Sequence, residues 1–269
     1  MPGLVEEGRA KVNLTLRVVG RRTDGYHDLE SVVAFADCAD KLTLTPGPEL
    51  SLQTIGPLAN ACGDVSDNLV LKASRLLGKL VPGLKVGAFV LDKILPVAAG
   101  IGGGSADAAA ALRLLTSLWQ IDPGYAEAVA PTLGSDVPAC LLSLSVRGEG
   151  AGDELTVIAL AETSGTPVLL VNPRVPLATP DVFAAWDGVD RGPLDDWRDG
   201  RNDLEAPAKT LVPQVETVLA WLSAQSGAEF TRMSGSGATC FSLFDSEEAR
   251  DVAAQAVPRE WWRLTTFLR

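Results

Sequence analysis

The chain has 269 residues, 46% of them apolar, with 23 basic and 34 acidic side chains and a formal net charge of −11. That is enough chain to bury a sizeable core in one large domain or two modest ones, and too apolar for disorder. The negative balance excludes a basic field for nucleic acid or anionic membrane, and a single histidine, His27, excludes multi-histidine zinc sites.

The first residues, Met1 to Gly8, lack a basic region leading into an apolar one, and no membrane-length apolar run follows. Neither export nor membrane insertion is expected. Four cysteines without a C-x-x-C pair (Cys38, Cys62, Cys140, Cys240) suit the reduced thiols of a cytoplasmic protein. A strand is predicted from residue 10, with Ala10, Val12, Leu14 and Leu16 on one face and Lys11, Asn13, Thr15 and Arg17 on the other. A turn at Arg22-Thr23-Asp24-Gly25 follows, then strands over 31–35, 41–45 and 50–55. Helical spacing runs from Asn68 to Leu80, and alternation returns over 84–91. A glycine cluster, Gly100 to Gly104, leads into helices predicted over 105–119 and 125–132. A turn and an apolar stretch fill 134–146, and the composition change at 147–153 suggests a domain hinge. Beyond it come a strand at 167–171, a helix near 180–186, an acidic stretch at 187–203 and a helix over 211–226. A Gly/Ser turn at 234–237 and a strand at 239–244 complete the series. The pattern is α+β, in two halves of unequal size.

The segment Leu95-Pro96-Val97-Ala98-Ala99-Gly100-Ile101-Gly102-Gly103-Gly104-Ser105-Ala106 joins a predicted strand to a predicted helix. Glycines let the backbone approach a ligand, and a helix start offers free N–H groups with about half a positive charge. Such a cradle holds phosphate without a basic surface. No lysine precedes Ser105, so it is not a Walker A loop. Ser105 and Asp107 stand where a dinucleotide fingerprint would need glycine. An ordinary flexible turn capped by Ser105 is the competing reading.

The stretch from Pro96 through Gly100-Ile101-Gly102-Gly103-Gly104-Ser105-Ala106-Asp107-Ala108-Ala109 resembles the phosphate loop of the GHMP kinase superfamily. Ala10-Lys11-Val12-Asn13-Leu14 and Met233-Ser234-Gly235-Ser236-Gly237-Ala238-Thr239-Cys240-Phe241 resemble its two other motifs. Arg22-Thr23-Asp24-Gly25-Tyr26-His27-Asp28-Leu29 and Asn202-Asp203-Leu204-Glu205 narrow the resemblance to members whose alcohol substrate carries a cytidylyl group. The motifs run in order from residue 10 to about 244. The resemblance implies a two-lobed α+β fold, with an ATP-binding N-terminal lobe over 1–150, a C-terminal lobe over 151–269 and a substrate cleft between. It implies a cytoplasmic kinase, monomer or homodimer, that uses ATP and Mg²⁺ on a small-molecule alcohol and binds no nucleic acid.

From the residues alone, Lys11 and Asn13 point the same way on a strand, and Asp136 is a carboxylate in the turn Gly134-Ser135-Asp136-Val137-Pro138. The resemblance implies that Asp136 is the general base on the substrate hydroxyl, or orients it, with Lys11 holding Asp136 ionised and neutralising developing charge. It places ATP on Pro96, Val97, Ala98, Ala99, Gly100, Ile101, Gly102, Gly103, Gly104, Ser105 and Ala106, with Lys93 and Asn68 on the adenine side. Asn68 equally suits a helix cap. The hydroxyls of Ser105 and Thr239 come near phosphate or its Mg²⁺ in this scheme, or act as caps, and metal ligands stay unassigned. Substrate-binding residues are Asn13, Tyr26, His27, Thr179 and Phe183. Tyr26 stacks on the pyrimidine, His27 meets its polar edge, and Phe183 closes the sandwich or simply packs in the core. Asp107 is given no ligand role. The acidic stretch 187–203 is expected to be a solvated loop, and Trp261-Trp262 to pack on the core or on another subunit. Two other functions compete. A kinase of another small alcohol has no reason for Tyr26-His27, and an inactive nucleotide-binding regulator has none for Lys11 with Asp136.

Overall fold

The computed structural model describes residues 3–194 and 196–269; Met1 and Pro2 at the start and Asp195 in the acidic stretch lie outside the described residues. The elements run β1 (Leu4–Arg21), β2 (His27–Thr45), β3 (Ser51–Ile55), α1 (Leu69–Leu80), β4 (Ala88–Asp92), α2 (Gly103–Trp119), α3 (Gly124–Leu133), α4 (Val137–Leu142), β5 (Val146–Gly150) and β6 (Glu154–Val157). They continue with β7 (Pro167–Asn172), α5 (Thr179–Ala184), α6 (Glu205–Leu211), α7 (Gln214–Ser223), β8 (Ala228–Met233), β9 (Cys240–Phe244), α8 (Glu247–Ala256) and β10 (Trp262–Phe267). Two compact units form, and they interleave along the chain. One takes the segment ending at Ala10, then Ala39–Val97 and Gly102–Ser143; the other takes Lys11–Cys38, Ala98–Ile101 and Leu144–Arg269.

In the first unit, Lys41–Thr45 of β2 pairs antiparallel with β4, and β3 runs parallel to β4 on its other side. Helix α1 buries Val70, Leu71, Ala73, Ser74 and Leu77, one face at helical spacing. Helix α2 is buried almost all round, through Ala106, Asp107, Ala108, Ala109, Ala110, Ala111, Leu112, Leu114 and Leu115. Its alanines give α1, α3 and α4 room to pack closely around it.

In the second unit, Leu29–Val33 of β2 pairs with β5, which pairs in turn with β6. A separate antiparallel sheet runs in the order β10-β7-β9-β8. Its core joins Leu169, Val171, Met233 and Phe244 of the sheet to Val182, Ala208, Val215, Val218 and Leu222 of the helices. Trp262 is buried in β10, while Trp261 lies edge-on to Trp221 at 6.0 Å.

Several expectations are corrected. The strands expected over 31–35 and 41–45 are one, because 36–40 holds neither glycine nor proline to break it; Ala36 bridges Leu268, and the Cys38 N–H donates to Thr266 Oγ1. The expected hinge at 147–153 is the β5–β6 hairpin, its glycines spent on positive φ at Gly150 (65°) and Gly152 (94°). The helix expected over 211–226 breaks at Pro213, which cannot donate an N–H and forces Val212 out of helical geometry, so α6 ends before it and α7 starts after it. The acidic stretch is irregular but not merely solvated, for Leu194, Asn202 and Asp203 are buried. Of the four cysteines, Cys140 and Cys240 are buried and Cys38 and Cys62 partly so. Among the described residues no helix is long and apolar enough to cross a membrane.

Candidate active site

Both faces of β1 are buried from Ala10 to Leu16, the polar one included: Lys11 is 5% exposed and Asn13 3%. A buried polar row needs partners. The Lys11 ammonium donates to Asn13 Oδ1 at 2.8 Å, Asn13 Nδ2 donates to Ser31 Oγ at 2.8 Å, and Ser31 Oγ donates to the Thr15 carbonyl at 2.5 Å. The relay orients the Asn13 amide with its oxygen toward the lysine. Beside it, the Lys11 N–H donates to the carbonyl of Ile101 in the glycine loop at 3.0 Å.

Residues 99–101 of that loop are stitched to the second glycine turn. Ser234 Oγ accepts from the Asn13 N–H at 3.2 Å and donates to the Gly100 carbonyl at 2.8 Å, and the Thr239 N–H donates to the Ala99 carbonyl at 3.2 Å. Gly100 has φ 78°, and a Cβ there would run into the Ser234 carbonyl and lie 2.9 Å from Gly237 N. This glycine is therefore required by the meeting of two loops. The second turn is held from behind by Asn202, whose Nδ2 donates to the Met233 and Gly235 carbonyls, each at 2.8 Å, while Oδ1 accepts from the Leu204 N–H. The neighbouring Asp203 accepts from the Val18 N–H at 3.0 Å. The motif Asn202-Asp203-Leu204-Glu205, quoted from the sequence without a role, thus supports the turn.

The aromatic group lies in the same unit. His27 faces Phe183 at 4.8 Å between centroids and meets Trp186 edge-on at 5.8 Å. Burial, then the charge of Arg21, hold the imidazole pKa below the ordinary histidine value, and Nε2 is buried without a hydrogen-bond partner. Tyr26 stands at the turn, 62% exposed. Thr179 Oγ1 shares a hydrogen bond of 2.8 Å with Ser236 Oγ of the second glycine turn. Thr239 is wholly buried, its hydroxyl accepting from Asn172 Nδ2 at 3.0 Å.

The first unit carries the rest. Helix α2 starts at Gly103, two residues before the expected start, so Ser105 lies inside its first turn and is not the cap. The cap position is Gly102, φ 66°, with no side chain to close the helix, and Gly104 is exposed. The first-turn N–H groups are left for an anion or water. Asp136 opens α4 without a side-chain cap bond. Asn68 caps α1, its Oδ1 accepting from the Val70 N–H at 2.9 Å.

Lys93 is 1% exposed, its ammonium 2.5 Å from Asp40 Oδ2 and 2.7 Å from Asp107 Oδ2. Asp40 also accepts the N–H groups of Ile94 at 2.6 Å and Leu95 at 2.9 Å through Oδ1, whereas Oδ1 of Asp107 has no partner. One cation serves two carboxylates, so a proton goes to the less well supported one. Burial pushes Asp107 up to about 7. Burial works against the Lys93 ammonium, but the two carboxylates outweigh it and hold its pKa above the usual lysine value. Sequence reasoning missed Asp40, although its parity with the inward Leu42 and Leu44 marks it as core-facing.

Residues 68–143 match the family profile described as GHMP kinases N terminal domain, and residues 189–264 match GHMP kinases C terminal. The chain is similar to a 4-diphosphocytidyl-2-C-methyl-D-erythritol kinase of Bradyrhizobium diazoefficiens, 53% identical over 97% of this chain and 97% of that relative. Another so named, from Rhodopseudomonas palustris strain HaA2, is 55% identical over 96% of each. Among solved structures, a 4-(cytidine 5'-diphospho)-2C-methyl-D-erythritol kinase superposes with a TM-score of 0.84 at 32% identity, covering 98% of this chain and 99% of that one. A homoserine kinase from Cytophaga hutchinsonii shares the fold, with a TM-score of 0.70 at 17% identity over 98% of this chain and 94% of that one. With β1 motif, glycine loop and second glycine turn following one another in this order, the chain belongs to the GHMP kinases and, within them, to the 4-diphosphocytidyl-2-C-methyl-D-erythritol kinase family.

Proposed function

We propose that this chain transfers the γ-phosphoryl group of ATP to the 2-hydroxyl of 4-diphosphocytidyl-2-C-methyl-D-erythritol, giving the 2-phosphate and ADP in the non-mevalonate route to isoprenoid precursors. The observation that carries the reading is a buried cation, Lys11, whose own N–H is bonded to the glycine loop at Ile101. In a chain of net charge −11, a fixed ammonium whose backbone is tied to a glycine loop is an arrangement phosphoryl transfer uses and a passive anion site does not need.

In this reading Pro96 to Ala106 wrap the ATP phosphates, with Lys93 and Asn68 serving the same nucleotide from behind the loop. Asp136 accepts the proton of the attacking hydroxyl, and Lys11 keeps that carboxylate ionised and offsets charge on the transferring group. Asn13 fixes the direction of the Lys11 ammonium and faces the substrate. Rings 4.8 Å apart leave no space for a base between His27 and Phe183, since an intercalated ring needs about 7 Å. In this reading the cytosine is taken between Tyr26 and Phe183, with His27 on its polar edge and Thr179 beside the ribose. Mg²⁺, when bound, would be held on the ATP phosphates near the Ser105 hydroxyl and would offset negative charge on their oxygens. Among the described residues no group of three or more His, Cys, Asp or Glu could hold a metal ion.

The deciding experiment is ADP release from Mg-ATP with the cytidylyl alcohol, run beside mevalonate, homoserine and galactose. Selective turnover of the cytidylyl alcohol is expected. Equal or better turnover of another alcohol would remove the pyrimidine pocket from the reading.

A further inference from the structure

We infer that Asp40, acting through Lys93 and Asp107, is a positioning residue for ATP that ties the chain entering the glycine loop to the helix leaving it. The inference rests on the reading of the loop as the ATP phosphate cradle.

A loop built from glycines has no side chains with which to hold its own shape. Its ends must be fixed by something else. Asp40 Oδ1 accepts the N–H groups of Ile94 and Leu95, the two residues before Pro96, at 2.6 and 2.9 Å. Asp40 Oδ2 binds the Lys93 ammonium at 2.5 Å, and that ammonium binds Asp107, in the second turn of α2, at 2.7 Å. One buried carboxylate thereby grips the entry directly and the exit through a lysine bridge. The bridge is fitted closely: a Cβ on Gly103, the first residue of α2, would sit 3.2 Å from Lys93 Nζ and 3.5 Å from the Pro96 carbonyl. Lys93 and Asp40 are 1% and 0% exposed, so neither is placed to touch a nucleotide, and Lys93 serves ATP by holding the cradle. A displaced cradle loses affinity steeply, because its N–H groups must converge on the phosphates together.

The test uses the full-length enzyme. Asp40→Asn keeps an oxygen toward Ile94 and Leu95 but withdraws the charge from Lys93. It should raise the KM for ATP about tenfold, leave the KM for the cytidylyl alcohol unchanged, and speed amide hydrogen exchange over residues 94–106. An unchanged ATP KM, or both KM values rising by one factor, would overturn the inference. Should that variant fail to fold, Asp107→Asn tests the exit side and should raise ATP KM with the same selectivity. Lys93→Met separates positioning from direct contact: ATP binding should weaken while adenosine binding stays as in the wild type. Equal weakening of adenosine would mean that Lys93 reads the base and would overturn the inference. ATP affinity of Asp40→Asn by titration, expected about tenfold weaker, and its hydrogen exchange are also read without the alcohol, so failure of the wild type to turn over the cytidylyl alcohol would count against the proposed substrate and not against this clamp.

Discussion

Asp136 and His27 divide the proposed chemistry, and each has its own expected signature. Asp136→Asn keeps the shape at the start of α4 and removes the base, so turnover should fall by about 10²-fold or more with ATP binding unchanged. Single-turnover kinetics beside ATP titration check this, and near-normal turnover would end the assignment. His27→Ala removes the ring that faces Phe183 and Trp186 and should raise the KM for the cytidylyl alcohol about tenfold while ATP KM holds. Parallel loss of both affinities would place His27 in the core and out of the pocket. Asp107 yields a pH prediction. The groups facing it are Lys93 and Asp40, with the Cys62 thiol, itself held above its usual pKa by burial, near the same charges. With its pKa raised to about 7, the folded protein keeps a proton that the unfolded chain releases above the ordinary aspartate range. Stability from this group is therefore lost as pH rises from about 4 to about 7 and is level beyond. Asp107→Asn lacks that slope, so its urea midpoint relative to wild type should move in the variant's favour between pH 5 and pH 8. A constant difference would show that Asp107 is ionised throughout.

At the scale of elements, the function hangs on two glycine turns that hold each other. Gly100 approaches Ser234 and Gly237 too closely for any side chain, and its φ of 78° is one an L-residue enters at a cost. Gly100→Ala should lower stability by about 2 kcal/mol or more and weaken ATP binding, read by urea unfolding and nucleotide titration. Unaltered stability would mean that the two turns are not packed as described. The glycine run between a strand and a helix was legible in the sequence because nothing else makes a backbone so approachable there. The separate duties within it were not. Gly100 serves the packing of two loops, Gly103 leaves room for Lys93, and Gly104 alone of the three opens to solvent. Those duties depend on atoms more than a hundred residues away, or on a buried lysine whose partners local periodicity cannot name.

For the whole molecule, the interleaving of the two units has a consequence for dissection. Residues 11–38, which hold most of β1 and β2, belong with the C-terminal unit. A fragment of residues 151–269 therefore lacks β5, the partner of β6, along with β1 and β2 and the part of the core formed by Leu16 and Val18. Expressed alone it should show no cooperative thermal transition, whereas the full chain should. A cooperative transition in the fragment would show that β1 and β2 are dispensable to that unit. A search for composition shifts sees only contiguous segments, which is why the run of glycines at 148–152 looked like a hinge and is a hairpin.

What the sequence by itself determined is the set of local properties that need no distant partner. The amphipathic helix α1, the alternation in β1, the glycine cradle and the exclusion of basic and multi-histidine chemistry follow from residue type and spacing. Tertiary structure alone decided which polar residues are buried together. Asp40, Lys93 and Asp107 lie far apart in sequence, each ordinary on its own, and only in the fold do they make one buried cluster. The same holds for Asn202 under the second turn and for Lys11 on Asn13 beside Ile101. The physical reason is that local geometry is set by backbone sterics and periodic burial, which each residue carries with it. The worth of a buried charge or amide is set by the partners that desolvation forces upon it, and those arrive only when the chain closes.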